Sequence, residues 1–173
     1  MSPILILLFI SFFLVRLSTL FISMRNERRL KADGGIEYGA LNSRILAVLH
    51  VGFYLSAFAE AYTNAVQIDL MSLVGIAIYL FSIAALFYVI HELSPIWTVK
   101  LIIGREHSLN NSLLFRYFRH PNYFLNVVPE LIGLALMCKA DYTLLILFPV
   151  YLVSLVVRIV QEERIMRIRF KGY

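Results

Sequence analysis

Residues 121–160 read PNYFLNVVPELIGLALMCKADYTLLILFPVYLVSLVVRIV, two apolar runs separated by Lys139-Ala140-Asp141. A run of about 20 such residues is what a helix needs to cross ~30 Å of hydrocarbon. Pro121 suits a first helical turn, where its missing N–H is not needed. The short polar break makes a hairpin, so the two helices are expected to be antiparallel neighbours. Pro121 and Val160 then lie at the same membrane face. Arg119-His120 immediately precedes the first run, and Glu162-Glu163 follows the second. The stretch therefore predicts two polar clusters that close on each other at one face of the membrane.

Three further apolar segments lie upstream, at about residues 4–24, 45–66 and 70–93, and Ser94-Pro95 ends the third. The whole chain of 173 residues is 60% hydrophobic and 16% charged, against roughly 25% charged in a soluble domain. Its mean hydropathy is +0.78. The expected fold is all-α, a polytopic transmembrane helical bundle of about five spans. It forms a single integral-membrane domain, 1–173, whose C-terminal half from about residue 97 carries the site. The first segment lacks a basic leader and a small-residue cleavage site, so it reads as a retained span. A lone cysteine, Cys138, excludes an intramolecular disulfide and a cysteine-rich metal site. No metal ligand set is expected.

The net charge of +5 is not spread evenly. The segments after spans one and three and the C-terminal tail hold nearly all the Lys and Arg, as cytoplasmic loops do. The expected orientation is N-terminus outside and C-terminus cytoplasmic, with no nucleic-acid partner. Arg119-His120 and Glu162-Glu163 then share the cytoplasmic side.

The residue types at this face suggest a chemistry. His120 opens a helix, where free N–H groups and the helix dipole favour an anionic group, and Arg116 and Arg119 add positive charge. Glu162 and Glu163 can hold an ammonium, a ribose diol or an arginine. Positive at one end and negative at the other, such a site suits a zwitterionic amino-acid cofactor. Taken singly, these residues have plainer readings. His120 can be a helix cap, and Glu163–Arg167 and Arg158–Glu162 are favourable i,i+4 surface pairs. Within the spans, Arg16, His50, Glu60, His91, Glu92 and Glu130 are costly in lipid and should face protein or an interface. Arg16 is expected to find an acidic partner or to reach an interface. Glu60 and Glu92, near span ends, are expected to be wet. Asn126 and Glu130 are candidates to touch a substrate.

Trp97-Thr98-Val99-Lys100, then Arg119-His120-Pro121-Asn122-Tyr123, then Glu162-Glu163 with Gly172-Tyr173, together resemble the isoprenylcysteine carboxyl methyltransferase family, in its small bacterial branch. The resemblance covers the C-terminal half; the N-terminal spans match by hydropathy alone. It implies an integral-membrane methyltransferase of the bacterial cell membrane that uses S-adenosyl-L-methionine, with its active site facing the cytoplasm. A soluble nucleotide-binding pattern, with a Gly-rich loop after a strand, is correspondingly missing. Carried over residue by residue, Arg119, His120, Pro121, Tyr117 and Tyr123 form the cofactor-side loop. Glu162 and Glu163 close the pocket, and Trp97 and Lys100 line its entrance. His120, Arg119 and Glu163 are the implied catalytic residues. Two departures stand out. Leu113-Leu114-Phe115-Arg116-Tyr117 replaces the family's Gly-Pro-Tyr, and the chain stops at Tyr173.

The implied acceptor is a lipophilic small molecule or lipid-modified group, methylated at a carboxylate or at a hydroxyl or enol oxygen. A carboxylate needs no strong base; a protonated acceptor does, and His120 or His107 are the candidates. Two rival readings are an NADPH-dependent membrane reductase of sterol-reductase-like architecture and a non-catalytic membrane scaffold. The first calls for a larger chain with more basic residues. The second leaves the Arg-His-Pro and Glu-Glu clusters without a purpose.

Overall fold

The computed structural model describes residues 1–104 and 120–169. It is a bundle of long apolar helices with one two-stranded ribbon. Helix α1 spans Pro3–Ala32, with Ser2 as N-cap accepting from the Leu5 N–H and Pro3 in its first turn. Helix α2 runs Ala40–Thr63 and α3 runs Leu70–Leu93, where Asp69 caps by accepting from the Ser72 N–H at 3.0 Å. A π-helical segment, Asn122–Val127, leads into α4, Val128–Cys138. The last helix, α5, covers Asp141–Arg169. Among the described residues, α1, α2, α3 and α5 are long and apolar enough to cross a membrane. The fifth apolar segment, Asn122–Cys138, is shorter. Its widened first turns precede Pro129, which has no N–H to continue an i→i−4 ladder.

Apolar residues cover these helices on all sides, as lipid requires. Leu7, Phe21, Val48, Leu70 and Leu145 lie exposed, while Leu5, Phe53, Tyr79, Leu131 and Leu134 form the core. The ribbon pairs β1, Ile36–Tyr38, with β2, Leu101–Ile103, antiparallel, with Ile36 opposite Ile103 and Tyr38 opposite Leu101. It ties the segment after α1 to the segment after α3. Lys100 strengthens the tie, reaching Glu27 at 2.6 Å and Glu37 at 3.9 Å. The Asn26 side chain donates to the Trp97 carbonyl at 2.8 Å, and the Ser23 hydroxyl accepts from the Val99 N–H at 2.9 Å.

The expected hairpin between the last two apolar segments is present, closed by Lys139 in the left-handed conformation at φ 48°. The neighbours differ from the simplest expectation. Helix α4 packs most closely on α3 and α5 on α2, with less contact between α4 and α5. Gly75 and Gly133 explain the first pairing, because they let the α3 and α4 backbones touch. Glu60 explains part of the second. Its carboxylate accepts from the Tyr142 N–H, the Thr143 N–H and the Thr143 hydroxyl at 2.9–3.0 Å, and so caps α5 from α2. Such a cap contributes about 0.5–2 kcal/mol. At the same end, Lys139 pairs with Asp69 at 2.6 Å. That ion pair and the Ser72 N–H hold the Asp69 carboxyl down to about 2.

A Cβ on Gly133 would lie 2.7 Å from the Tyr79 backbone nitrogen and 2.8 Å from the Gly75 carbonyl oxygen. Neither is a flexible side-chain end. Gly133→Val is therefore expected to cost at least ~1–3 kcal/mol, the usual range for overpacking. Thermal unfolding in detergent measures this; an unchanged midpoint would mean that the two helices do not meet at these glycines.

Candidate functional site

Helix α5 carries Tyr151, Leu155, Arg158 and Glu162 at i, i+4, i+7 and i+11, one stripe running about 16 Å along the helix. This stripe joins the predicted polar clusters to the interior. At its outer end His120, itself buried, sits between the two carboxylates. Its Nε2 is 3.1 Å from Glu163 and its Nδ1 is 3.4 Å from Glu162. Glu163 also holds Arg167 at 3.1 Å, the i,i+4 pair expected from the sequence. The Tyr123 hydroxyl donates to Glu162 at 2.7 Å, and the Tyr123 ring stacks on His120 with centroids 5.8 Å apart. Pro121 is buried beside them.

Burial alone would push the His120 imidazole down. The hydrogen bonds and charges of Glu162 and then Glu163 outweigh it, and its pKa is raised. The two carboxylates thus favour the charged form of His120, which suits it to clamp the helices at this end.

One turn deeper, Arg158 is 3% exposed. Its place in the sequence suggested a surface pair with Glu162. Instead its guanidinium turns inward and donates to three neutral oxygens: the Tyr123 hydroxyl at 3.2 Å, the Ser43 hydroxyl at 2.7 Å and the Val99 carbonyl at 2.9 Å. It is linked to Glu162 through Tyr123. A buried cation with uncharged partners is costly, and an anionic ligand group relieves that cost.

Arg158 opens onto a cavity of about 180 Å³, room for a ligand rather than a water or two. Trp97, Tyr123, Asn126 and Arg158 line it toward the clusters, and Arg16 and His50 line it farther in. Apolar side chains, among them Leu17, Leu46 and Val127, fill the wall between. Among the described lining residues the charged side chains are both cationic, Arg16 and Arg158. Two buried polar atoms of lining residues have no partner, the Trp97 indole N–H and the Asn126 carbonyl Oδ1. The first can donate to a ligand and the second can accept from one.

At the deep end Glu130 is fully buried. Arg16 meets it at 2.7 Å, His50 Nε2 lies 3.4 Å away, and the Tyr54 hydroxyl donates to it. Tyr79 joins Tyr54, and Tyr151 meets His50 Nδ1 at 3.4 Å. Glu130 itself does not line the cavity; its partners Arg16, His50 and Tyr54 do. Of the two residues expected at a substrate, Asn126 is therefore placed on the cavity wall and Glu130 behind it.

The structure thus brings together His120, Pro121, Tyr123, Glu162 and Glu163 at one end, with Trp97 and Asn126 along the wall. Lys100 is placed elsewhere, on Glu27 and Glu37. Arg116, Arg119, Tyr117, His107 and Gly172-Tyr173 lie outside the described residues. Arg158, His50 and Tyr151 were not among the sequence candidates for the site. The i, i+4, i+7, i+11 stripe on α5 was the available signal for two of them.

Residues 74–168, more than half of the chain, match the Isoprenylcysteine carboxyl methyltransferase (ICMT) family. The chain belongs to this family of membrane methyltransferases. The matched region takes in the α3–α4 pair, the His120 cluster and the stripe of α5. A protein of Haemophilus influenzae (strain ATCC 51907 / DSM 11121 / KW20 / Rd), described as uncharacterized, is 53% identical over 152 residues, 88% of each chain. The uncharacterized protein YpbQ of Bacillus subtilis (strain 168) is 27% identical over 151 residues, 86% of this chain and 88% of its own. No solved structure gives a significant match.

Because the His120 pKa is raised, its pairing stabilises the fold fully below the ordinary histidine value of about 6.5 and loses that contribution as pH rises through the raised value. The midpoint difference between the native protein and His120→Gln should therefore be larger at pH 6 than at pH 9. Thermal scans in detergent across that range test it, and a gap that grows with pH would contradict the pairing.

Proposed function

We propose that this protein is an S-adenosyl-L-methionine-dependent methyltransferase that methylates an oxygen of a lipophilic acceptor, with its cofactor end facing the cytoplasm. Family membership supports transfer of a methyl group at a membrane. The observation that carries the cofactor is the split polarity of the site, with Arg158 buried on neutral partners and a pair of carboxylates beyond it. Arg158 would take the amino-acid carboxylate, and Glu162 and Glu163 the ammonium or the ribose. The free Trp97 N–H and Asn126 oxygen would serve further polar edges of the ligand. When bound, the cofactor supplies a methyl group already activated on a sulfonium.

The chain's own task is positioning and water exclusion, which supply up to ~7–11 kcal/mol in ideal cases. His120, fixed by Glu162, Glu163 and the Tyr123 ring, sets the shape of the cofactor end. The apolar wall of Leu17, Leu46 and Val127 suits a lipophilic body. An acceptor would reach it from the lipid between helices, while the polar cofactor arrives from water. The excess of Lys and Arg on the ribbon side and in the C-terminal tail supports the cytoplasmic orientation.

Isothermal titration of the detergent-purified protein with S-adenosylhomocysteine and, separately, with NADPH tests this reading. Saturable binding of the first alone is expected, weakened at least about tenfold, a loss of ~1.4 kcal/mol, in both His120→Ala and Glu163→Ala. Absence of binding, or identical binding in both variants, would discard the cofactor assignment. Tight NADPH binding would favour the reductase alternative.

A further inference from the structure

The cavity has a mouth, and the mouth lies within the apolar part of the bundle. Leu20, Val51 and Val99 line the cavity and are nonetheless 44%, 52% and 49% exposed, so they stand on its rim. Ala47, also exposed, is the fourth rim residue. All four are apolar. Leu20 belongs to α1, and Ala47 and Val51 to α2, both helices long and apolar enough to cross a membrane. A mouth facing water would gain from polar side chains at its rim, whereas lipid penalises them.

The opening follows from how α1 is held. Near its N-terminal end Phe9 packs on Tyr54 and Phe58, with centroids 5.9 and 5.0 Å apart, and Phe12 stacks on Tyr79 at 4.2 Å. Near its C-terminal end Ser23 accepts from the Val99 N–H, and Asn26 donates to the Trp97 carbonyl. Between these ties Arg16 turns to Glu130 on α4 and approaches α2 only at His50, 3.5 Å away. Among the described residues the α1 backbone lies close to β2 and stands off from α2. From Arg16 to Ser23 is about 10 Å of helix. Over that height Leu17 and Leu20 border the cavity on one side and Ala47 and Val51 on the other.

We propose that this window between α1 and α2 is a lateral binding site for one hydrocarbon chain of a membrane lipid. The polar end of the lipid enters the cavity, and the rest of the chain stays in the bilayer. The volume favours that division. The cavity holds about 180 Å³, less than the ~300–1,000 Å³ that encloses a drug-sized ligand, so a whole lipid chain does not fit inside. Arg16 and Arg158, the charged side chains among the described lining residues, are buried more deeply than the rim. A polar end therefore gains by entering, and an apolar tail gains by staying out. Ala47 is the smallest residue of the rim and sets the clearance for the chain. Naming this lipid as the methyl acceptor rests on the methyltransferase reading; the site itself does not.

Trp97 is the only tryptophan of the chain and lines the cavity, so its fluorescence reports on the site directly. The probes are two fatty alcohols, one brominated near the hydroxyl and one near the tail end, added to the full chain in detergent. Bromine quenches indole only at short range. Saturable quenching by the first and weak quenching by the second are expected. Equal quenching by both, or quenching that never saturates, would overturn the site. Ala47→Phe should raise the half-quenching concentration at least ~10-fold, the low end of what one misfit hydrocarbon group does in an apolar pocket. Tritiated methyl transfer from S-adenosylmethionine into a lipid extract of the native organism should slow by a similar factor, with S-adenosylhomocysteine affinity unchanged by calorimetry. Val51→Phe, on the same lip, repeats the test should Ala47→Phe not assemble. Val48→Phe adds the same ring at a 70% exposed position that does not line the cavity, and should alter neither quenching nor transfer. Equal effects at the rim and at Val48, or no effect at the rim, would overturn the proposal. A native protein that binds S-adenosylhomocysteine without saturable quenching loses the window and keeps the methyltransferase reading. The converse result removes that reading and leaves the lipid site.

Discussion

The Arg16–Glu130 ion pair is the constraint around which this bundle is organised. Glu130 is fully buried in a chain whose outer surface is apolar, so its charge has to be met from within. Arg16 meets it from α1, His50 and Tyr54 from α2, Tyr79 through Tyr54 from α3, and Tyr151 through His50 from α5. Four helices thereby converge on one carboxylate of α4. Hydrophobic burial does not drive helices together in lipid, since the tails outside are as apolar as the core. Close backbone contact at Gly75 and Gly133 and the polar convergence at Glu130 do this instead. Removing one member of a buried pair typically costs about 3–5 kcal/mol, so the pair also selects one arrangement over its competitors.

The same convergence divides the cavity. Its outer end is lined by Trp97, Tyr123 and Arg158, with His120 and Glu162 joined to it through Tyr123, and its inner end by Arg16, His50 and Tyr151. Apolar side chains separate the two. A polar ligand gains at the outer end only, because the wall beyond offers it no hydrogen bonds. A lipophilic one gains along the wall and needs a single polar group to finish against the inner end. The stripe Tyr151–Leu155–Arg158–Glu162 keeps both ends in register on one rigid helix, whose start is capped from α2 by Glu60. Precision at the site therefore depends on a contact at the opposite end of α5.

Much of this was legible in the sequence, for definite reasons. Helix number and the hairpin follow from hydropathy and the brevity of Lys139-Ala140-Asp141. The meeting of His120 with Glu162 and Glu163 follows from the hairpin, although the helices pair α3 with α4 and α2 with α5 more closely than with each other. Arg16 was expected to find an acid, but hydropathy carries no depth register precise enough to name Glu130. Glu60 was expected to be wet; whether it meets water or a helix N-terminus depends on tertiary contact. The i,i+4 spacing of Arg158 to Glu162 is a local signal, whereas its inward turn depends on Ser43 and Val99, residues 115 and 59 positions away. Lys100 was placed by family likeness at the entrance, and two carboxylates, Glu27 and Glu37, hold it on the ribbon.

His120 and His50 show how two environments of one membrane protein hold the same side chain differently. His120 stands between two carboxylates, and their combined field favours its charged form over the burial that opposes it. Held on both ring nitrogens, it is a fixed anchor at the outer end of the site. His50 shares a single carboxylate, Glu130, with Arg16, whose guanidinium lies 3.5 Å from His50 Nε2. A paired-carboxylate end and an arginine-bearing end on opposite sides of an apolar wall are what the proposed reaction of a polar cofactor with an apolar acceptor calls for.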